Sequence, residues 1–587
     1  MRHYIAAMSC CLSFLSTPLS AQTVFVPQGP SWNNSLRSQF YTQDQGARIM
    51  PISWMRALTL PNGDGFLDDA LARYGYLPMP GRDEADLPVG FTTNGSGAQM
   101  AVGMTCSACH TREIAVSGTQ YRIDGGPGIV DFQAFLRDLD NAVLDVLTSD
   151  AAFQTFAEKV LGANPDPAAV SALKASVEIW SNRFHTLVDR SLPTPSWAPG
   201  RLDAVSMIFN RLAGLDLGEE SDDYLIPDNI AVADAPTRYP FLWNAAKQDF
   251  TQWPGFAANG NDLLGLSRNL GEVYGVFGDF RPVPQTRGLF DRDYITHNSA
   301  NWEGLKALES WIWDIGAPQW PWALDDALVT QGQEIFGLST ANGGCIECHG
   351  KKRGAFRSLS HSTFATPILD VGTDIRECQI LTRTVQTGVL DGSKIPIVGK
   401  TLGAEAPAFD VLANSVIGAI VQNALSLRSE ADMDRLETAL ESDADNFEND
   451  VLKDFDDLRD AFPVEGDARA LLTPSPEAET ATETPCKYEA RVLDGIWAAA
   501  PYLHNGSVPT LADLLKAPAD RPASFTPGPE YDIDNVGMAT SQTVFDQVIT
   551  TTGCDDLASG NSRCGHDYGT SLSDTQKRAL LEYLKSI

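Results

Sequence analysis

The chain has 587 residues, of which 43% are hydrophobic and 9% aromatic, so it can bury large cores and is long enough for about two to four domains. Its 43 basic and 76 acidic residues give a net charge of −33. A surface this acidic repels phosphate backbones, which excludes nucleic acid as an expected partner and favours a basic protein.

The first segment of the chain, residues 1–21, is predicted to be a secretory signal peptide. Arg2 and His3 give this segment a short polar start, and an apolar stretch then runs to about Leu15. Small residues follow and lead to an expected cleavage site after Ala21. The alternative is a buried first helix. No later apolar run in the sequence approaches the roughly 20 residues of a membrane span. We therefore expect a periplasmic or secreted protein.

Two short segments share the pattern Cys-x-x-Cys-His, TCSACHT (105–111) and GGCIECHG (343–350). A structural zinc site needs four converging ligands, and these segments lie far apart, each with its own histidine. A redox dithiol does not require the histidine. Covalent haem c uses all three residues, because the thiols form thioethers and the histidine binds the iron. The sequence therefore predicts two haem c groups, one on Cys106, Cys109 and His110 and one on Cys345, Cys348 and His349, with His110 and His349 as iron ligands.

The four cysteines outside these motifs and the signal peptide are expected to form disulfides in an oxidising compartment. Cys554 and Cys564 would close a short loop, which leaves Cys378 with Cys486. The sequence alone allows all three pairings, and free buried thiols are the alternative.

A second iron ligand for the second haem is predicted at His504, in GIWAAAPYLHNGSVPTLADLL (495–515). An apolar stretch precedes His504 and a turn-forming segment follows it, which suits a haem edge. A core histidine is the alternative. No role is predicted for the remaining histidines of the exported chain, His185, His297, His361 and His566.

The first haem has no comparable histidine nearby in the sequence. Met100 and Met104 lie too close to Cys106 to reach the far face of that haem. We therefore expect an open iron position there, where dioxygen or peroxide could bind.

The fold is expected to be mainly α, with two cytochrome c-like haem domains, long loops and helical insertions. The predicted domains are 22–320 and 321–587. The second contains an acidic helical insertion, 427–472, and a flexible linker, 473–485. Calcium is a possible further cofactor, although no loop of the helix–loop–helix calcium type is present.

At these residues the chain resembles the dihaem cytochrome c peroxidase superfamily, and within it the bacterial rubber oxygenase branch. The His504 segment distinguishes this branch from typical peroxidases, which use a methionine there, and from the branch that uses a tyrosine, for which Tyr502 is the candidate. The resemblance rests on VGMTCSACHTREIAVSGTQYRIDGGPG (102–128), the second haem segment, VGTD (371–374), RVLDGIWAAAPYLHNGSVPTLADLL (491–515) and FTPGPEYDIDNVGM (525–538).

The resemblance implies that the haem on His110 reacts with dioxygen and that the haem on His349 and His504 is an electron-transfer or structural partner. It also implies an apolar substrate such as polyisoprene, cleaved at its double bonds. Candidates for an aromatic pocket over the reactive haem are Trp253, Phe256 and Phe277.

Arg268 and Glu272 share a predicted helix face, as a surface pair or as a polar group above the iron. A peroxidase, in which such a carboxylate would move protons, is the first alternative function. A plain electron carrier with both irons fully ligated is the other.

Overall fold

The computed structural model describes residues 23–81, 87–260, 262–285, 290–357, 362–394, 400–426 and 486–587. The predicted signal peptide, the acidic insertion 427–472 and the linker 473–485 lie outside these residues and stay predictions. None of the described helices is both long enough and apolar enough to cross a membrane.

The helices of the first half form where apolar residues recur at helical spacing, and most begin at an Asp, Asn or Ser side chain that caps the first turn. They are α1 (Asn34–Thr42), α2 (Ile52–Ala57), α3 (Cys106–Cys109), α4 (Phe132–Leu147), α5 (Asp150–Leu161), α6 (Pro167–Ser191), α7 (Ala204–Leu215), α8 (Asp262–Gly275) and α9 (Trp302–Asp314). The remaining helices are α10 (Asp326–Phe336), α11 (Ile346–His349), α12 (Arg376–Ile380), α13 (Ala408–Ser426), α14 (Leu511–Leu514) and α15 (Asp574–Ser586).

Strands are short, and the described ones pair into ten sheets of two or three strands. The strands before residue 320 are β1 (Thr23–Phe25), β2 (Met50–Pro51), β3 (Phe91–Asn94), β4 (Ala101–Met104), β5 (Thr111–Val116), β6 (Thr119–Asp124), β7 (Arg201–Leu202), β8 (Thr237–Arg238), β9 (Phe250–Thr251), β10 (Ala257–Ala258), β11 (Val283–Pro284) and β12 (Arg292–Asp293). Those after it are β13 (Arg353–Arg357), β14 (Ser362–Phe364), β15 (Ile368–Leu369), β16 (Thr384–Gln386), β17 (Glu405–Pro407), β18 (Tyr488–Glu489), β19 (Ser524–Phe525), β20 (Tyr531–Asp532), β21 (Gly537–Met538) and β22 (Ile549–Thr550).

The described part of the chain is therefore mixed, with about 40% helix and 15% strand. The expectation of a mainly α fold is not confirmed, and the two cytochrome c-like haem domains stay a prediction. The sequence pattern underestimated the strands because most have only two or three residues, too few to show an alternation of apolar and polar side chains. The largest sheets among the described residues are β1-β6-β5 and β2-β4-β3. Strand β4 ends just before the first Cys-x-x-Cys-His motif, and β5 begins just after it.

Two helices of the second half, α10 and α15, cross in close contact. Helix α15 begins at a reciprocal capping box formed by Ser573 and Gln576. Its apolar stripe, Leu580, Leu581 and Leu584, is buried. The helices approach closely because Gly332 has no side chain, and a Cβ atom there would overlap the carbonyl oxygen of Ala579.

The described chain buries three apolar clusters, and two of them take residues from both sides of position 320. One of these joins Trp243 to Trp497 and Leu580, and the other joins Leu270 to Val411. The domain boundary at 320/321 stays a prediction. Both expected disulfides are confirmed, Cys378–Cys486 and Cys554–Cys564.

Candidate haem-binding sites

The first motif folds as the single turn α3 between β4 and β5, which presents its histidine at the end of the turn. His110 Nδ1 lies 2.9 Å from the carbonyl oxygen of Pro240. Because a carbonyl only accepts, Nδ1 must carry the proton, and Nε2 keeps a free lone pair for a metal. Burial lowers the pKa of His110 to about 4, so the ring is neutral at physiological pH and suited to bind iron.

The second motif has the same arrangement at α11. His349 Nδ1 lies 2.7 Å from the carbonyl oxygen of Arg491, which again leaves Nε2 free. Burial lowers the pKa of His349 as well. The two predicted iron ligands are therefore held by backbone carbonyls from distant parts of the chain, a support that is typical of metal-binding histidines.

The four motif cysteines are free thiols, whereas the four other described cysteines are in disulfides. Burial raises the pKa of Cys106 and Cys109 to about 12 and that of Cys345 to about 11. A redox-active dithiol requires a lowered thiol pKa, so these pairs are poor candidates for one. The thiols fit haem attachment better.

The second motif opens into a cavity that Cys345, Cys348 and His349 line together with mostly apolar side chains. The apolar lining includes Phe241, Leu369, Leu493, Ile496, Leu511 and Leu584. Arg238 and Arg491 bring two guanidinium groups to its wall. Apolar walls with a few buried cations fit a haem, whose ring is apolar and whose propionates are anionic.

Two more histidines, His504 and His566, line the same cavity. The rings of His349 and His566 lie 6.2 Å apart between centroids. In each ring the nitrogen lies about 1 Å from the centroid, and a metal–nitrogen bond is about 2 Å long. Two such rings on one iron would have centroids about 6 Å apart, so the observed separation suits an iron between His349 and His566. His566 also has a φ of 52°, and strained backbone of this kind is concentrated at functional sites.

The predicted ligand His504 is buried and stacks on Tyr488 with 3.8 Å between ring centroids. Burial lowers the pKa of His504 to about 3, and burial, with the charges of His349 and Arg521, lowers that of His566 to about 3. Both rings are neutral. The role of His504 stays a prediction, and the sequence analysis missed His566 because no local pattern marks it.

Beside the first motif lies a polar network on α8 and α9. Arg268 forms an ion pair with Glu309 at 2.7 Å, with both side chains largely buried. Glu272 accepts a hydrogen bond of 3.0 Å from Gln252. Arg268 therefore pairs with Glu309 in the interior and does not form a solvent-exposed pair with Glu272.

The charges of this network reach the first motif. Burial raises the pKa of Cys106, and Glu272 and Glu309 raise it further. Burial raises the pKa of Glu272, against the effects of Gln252 and Arg268. A carboxyl group close to the first haem site is therefore available to hold or release a proton.

The three predicted pocket aromatics have different neighbours. Trp253 lines the second cavity. Phe256 contacts Phe409 edge to face at 5.6 Å, and Phe277 stacks on Phe184 at 5.4 Å. The prediction that they line one pocket over the first haem stays untested.

No group of three or more His, Cys, Asp and Glu side chains in the described residues could hold a metal ion by itself. Calcium therefore stays a prediction.

Comparison with known proteins relates one segment of the chain to a cytochrome c-like family. Residues 487–526, which include His504 and Arg491, match the family model described as RoxA-like, cytochrome c-like. Two proteins of Sinorhizobium fredii (strain NBRC 101917 / NGR234), both described as uncharacterized, are similar to the chain. Protein y4iJ is 28% identical over 618 aligned positions, which cover 95% of this chain and 92% of y4iJ. Protein y4iM is 37% identical over 144 positions, 21% of this chain and 33% of y4iM.

Proposed function

We propose that this RoxA-like cytochrome c is an exported oxidoreductase with two haem c groups that have different tasks. The first haem, the reaction centre, is held by Cys106, Cys109 and His110, and the second, which passes electrons, by Cys345, Cys348 and His349. Haem c supplies a redox-active iron when it is bound. The match to a cytochrome c-like family implies haem c and supports a haem-related oxidoreductase.

The polar network beside the first motif is the observation that carries the proposed reaction. Reduction of hydrogen peroxide to two waters consumes two electrons and two protons, and so benefits from a proton-transferring group at the reaction centre. Glu272, buried and bonded to Gln252, is such a group. The ion pair of Arg268 and Glu309 fixes its surroundings. The site therefore supports peroxide reduction best.

Dioxygen-dependent cleavage of an apolar alkene such as polyisoprene is the second candidate. The RoxA-like match favours it. Cleavage of an apolar alkene has no evident use for a proton-transferring carboxyl such as Glu272, whereas peroxide reduction consumes two protons. This difference is why we place the oxygenase second.

Trp253 joins the segments that hold the two haems. Its indole Nε1 donates to the carbonyl oxygen of Arg238. Two residues further along the chain, the carbonyl oxygen of Pro240 accepts from His110 Nδ1. Arg491, whose carbonyl binds His349, lies over the Trp253 ring at 4.7 Å. We propose Trp253 as the aromatic group through which electrons pass between the haems.

A net charge of −33 suits an electron donor with a basic surface. The periplasmic or secreted location and this basic partner both remain part of the proposal.

The Glu272→Gln substitution tests the reaction assignment in protein matured with haem c. We expect kcat/KM for peroxide to fall by about 10²–10⁴-fold, the range that a proton-transferring group contributes. The control is Glu303→Gln, which changes a largely exposed glutamate on α9 and should leave turnover unchanged. Polyisoprene cleavage by the unaltered protein without peroxide turnover would select the second candidate. Neither activity, with no ligand binding to either haem, would leave an electron carrier.

A further inference from the structure

Two buried guanidinium groups meet at Trp253 in the wall of the second cavity. Arg238 lies 4.5 Å and Arg491 4.7 Å from the centre of the Trp253 ring. Each arginine is only 5% exposed. Within the described part of the chain, Nη1 of each has no hydrogen-bond partner. Buried donors without partners are costly, so they mark a place where a ligand group is expected.

The charges at this place do not balance. Burial, together with the charge of Arg491, lowers the pKa of Arg238 to about 9. The carboxylate beside Arg491 is Glu489, with 2.9 Å between Nε and Oε2. Burial raises the pKa of Glu489 to about 7, so it is only partly ionised near neutral pH. Glu377 is another buried carboxyl that interacts with Arg491, and burial raises its pKa too. Two buried cations beside carboxyls that burial keeps partly protonated call for a further anion.

We propose that Arg238 and Arg491 form a clamp for a propionate carboxylate of the haem on His349. This inference rests on the proposed haem at the second motif. A guanidinium fork matches a carboxylate in shape and charge, and the Trp253 ring holds both forks in place.

Arg491 then acts on both sides of the second haem site. Its backbone carbonyl fixes His349 Nδ1, and its side chain faces the cavity. Its side chain also lies over Trp253, whose Nε1 donates to the carbonyl oxygen of Arg238, two residues before Pro240 of the first site. Arg491 is therefore a positioning residue that links the two sites.

The test is the reduction potential of the low-spin haem in Arg491→Gln, Arg491→Lys and Arg238→Gln, measured by spectroelectrochemistry. A buried cation favours the less positive, reduced iron, so its loss lowers the potential. We expect Arg491→Gln to shift the reduction equilibrium at least tenfold, which is 59 mV for one electron. Arg491→Lys, which keeps the charge and loses the fork, should shift it less. Should Arg491→Gln fail to fold, Arg238→Gln carries the same expectation.

The matched control is Arg211→Gln, another buried arginine, which lies over Phe277 away from the cavity. It should lower stability and leave the potential unchanged. An unchanged potential in both clamp variants, with two haems present, would overturn the clamp. A haem count that shows no haem on the second motif would instead overturn the proposed function.

Discussion

At the residue scale, sequence analysis could predict those site residues that lie close together in one short segment. The spacing of Cys106, Cys109 and His110 is local, so it identifies an attachment motif from sequence alone. The groups that support the histidines are not local, since His349 and its partner Arg491 are 142 positions apart in the sequence. His566, Arg238 and Glu489 are likewise brought in by the fold, and no spacing in the sequence marks them.

The choice of iron ligand at the second haem is the sharpest prediction at this scale. We expect His566→Ala to convert the second haem from low-spin to high-spin, because its ring faces His349 at 6.2 Å. His504→Ala, the matched control, should keep the low-spin signal, since its ring stacks on Tyr488. Electron paramagnetic resonance distinguishes the two variants. The opposite pattern would return His504 to the role predicted from the sequence.

At the element scale, the helices were predictable and the strands were not. The apolar stripe of α15 recurs at helical spacing and its cap is a local pair of residues, and both are patterns that a sequence shows clearly. The two-residue strands depend on backbone pairing between distant segments, such as β15 with β18, and leave no pattern of their own.

The crossing of α10 and α15 gives a stability prediction. Gly332→Ala should lower the free energy of unfolding by about 1–3 kcal/mol, since the added methyl group would overlap the backbone of α15. The control is Gly271→Ala in α8, where the nearest atom is a side-chain carbon of Leu412 at 3.7 Å. That change should be neutral or slightly stabilising. Chemical denaturation measures both, and equal losses would contradict the account of the crossing.

The Asp203 carboxyl, which caps α7, should make the free energy of unfolding depend on pH. Asp203 accepts hydrogen bonds from the backbone N–H groups of Ser206 and Ala235, and burial raises its pKa from 3.8 to about 6. The folded state therefore holds this proton more tightly than the unfolded state. The protonated carboxyl of Asp203 therefore adds at most roughly 3 kcal/mol to the free energy of unfolding. This contribution is complete below about pH 4 and is lost as the pH rises through about 6.

The Asp203→Asn variant should flatten the fall in unfolding free energy between pH 4 and 6, whatever its absolute stability. The slope is the quantity to compare, because the amide also weakens one of the two hydrogen bonds. An unchanged slope would mean that Asp203 does not titrate in this range.

At the scale of the whole molecule, the two motifs and the acidic charge indicated a haem protein that avoids nucleic acid, and the cytochrome c-like match agrees with the haem assignment. From the sequence, the proposed division of labour between the haems rested on the family resemblance and on the lack of a suitable histidine near the first motif. The structure adds support that no sequence pattern marks: the network of Arg268, Glu272 and Glu309 beside one motif, and the facing pair of His349 and His566 beside the other.

The central claim is that one haem is open to a ligand and the other is closed. The most direct measurement is a haem count followed by visible and electron paramagnetic resonance spectra, before and after reduction and addition of carbon monoxide. The account predicts two haems c per chain, one low-spin and unreactive, and one that binds carbon monoxide. Two low-spin haems that ignore carbon monoxide in both redox states, or fewer than two haems, would contradict it.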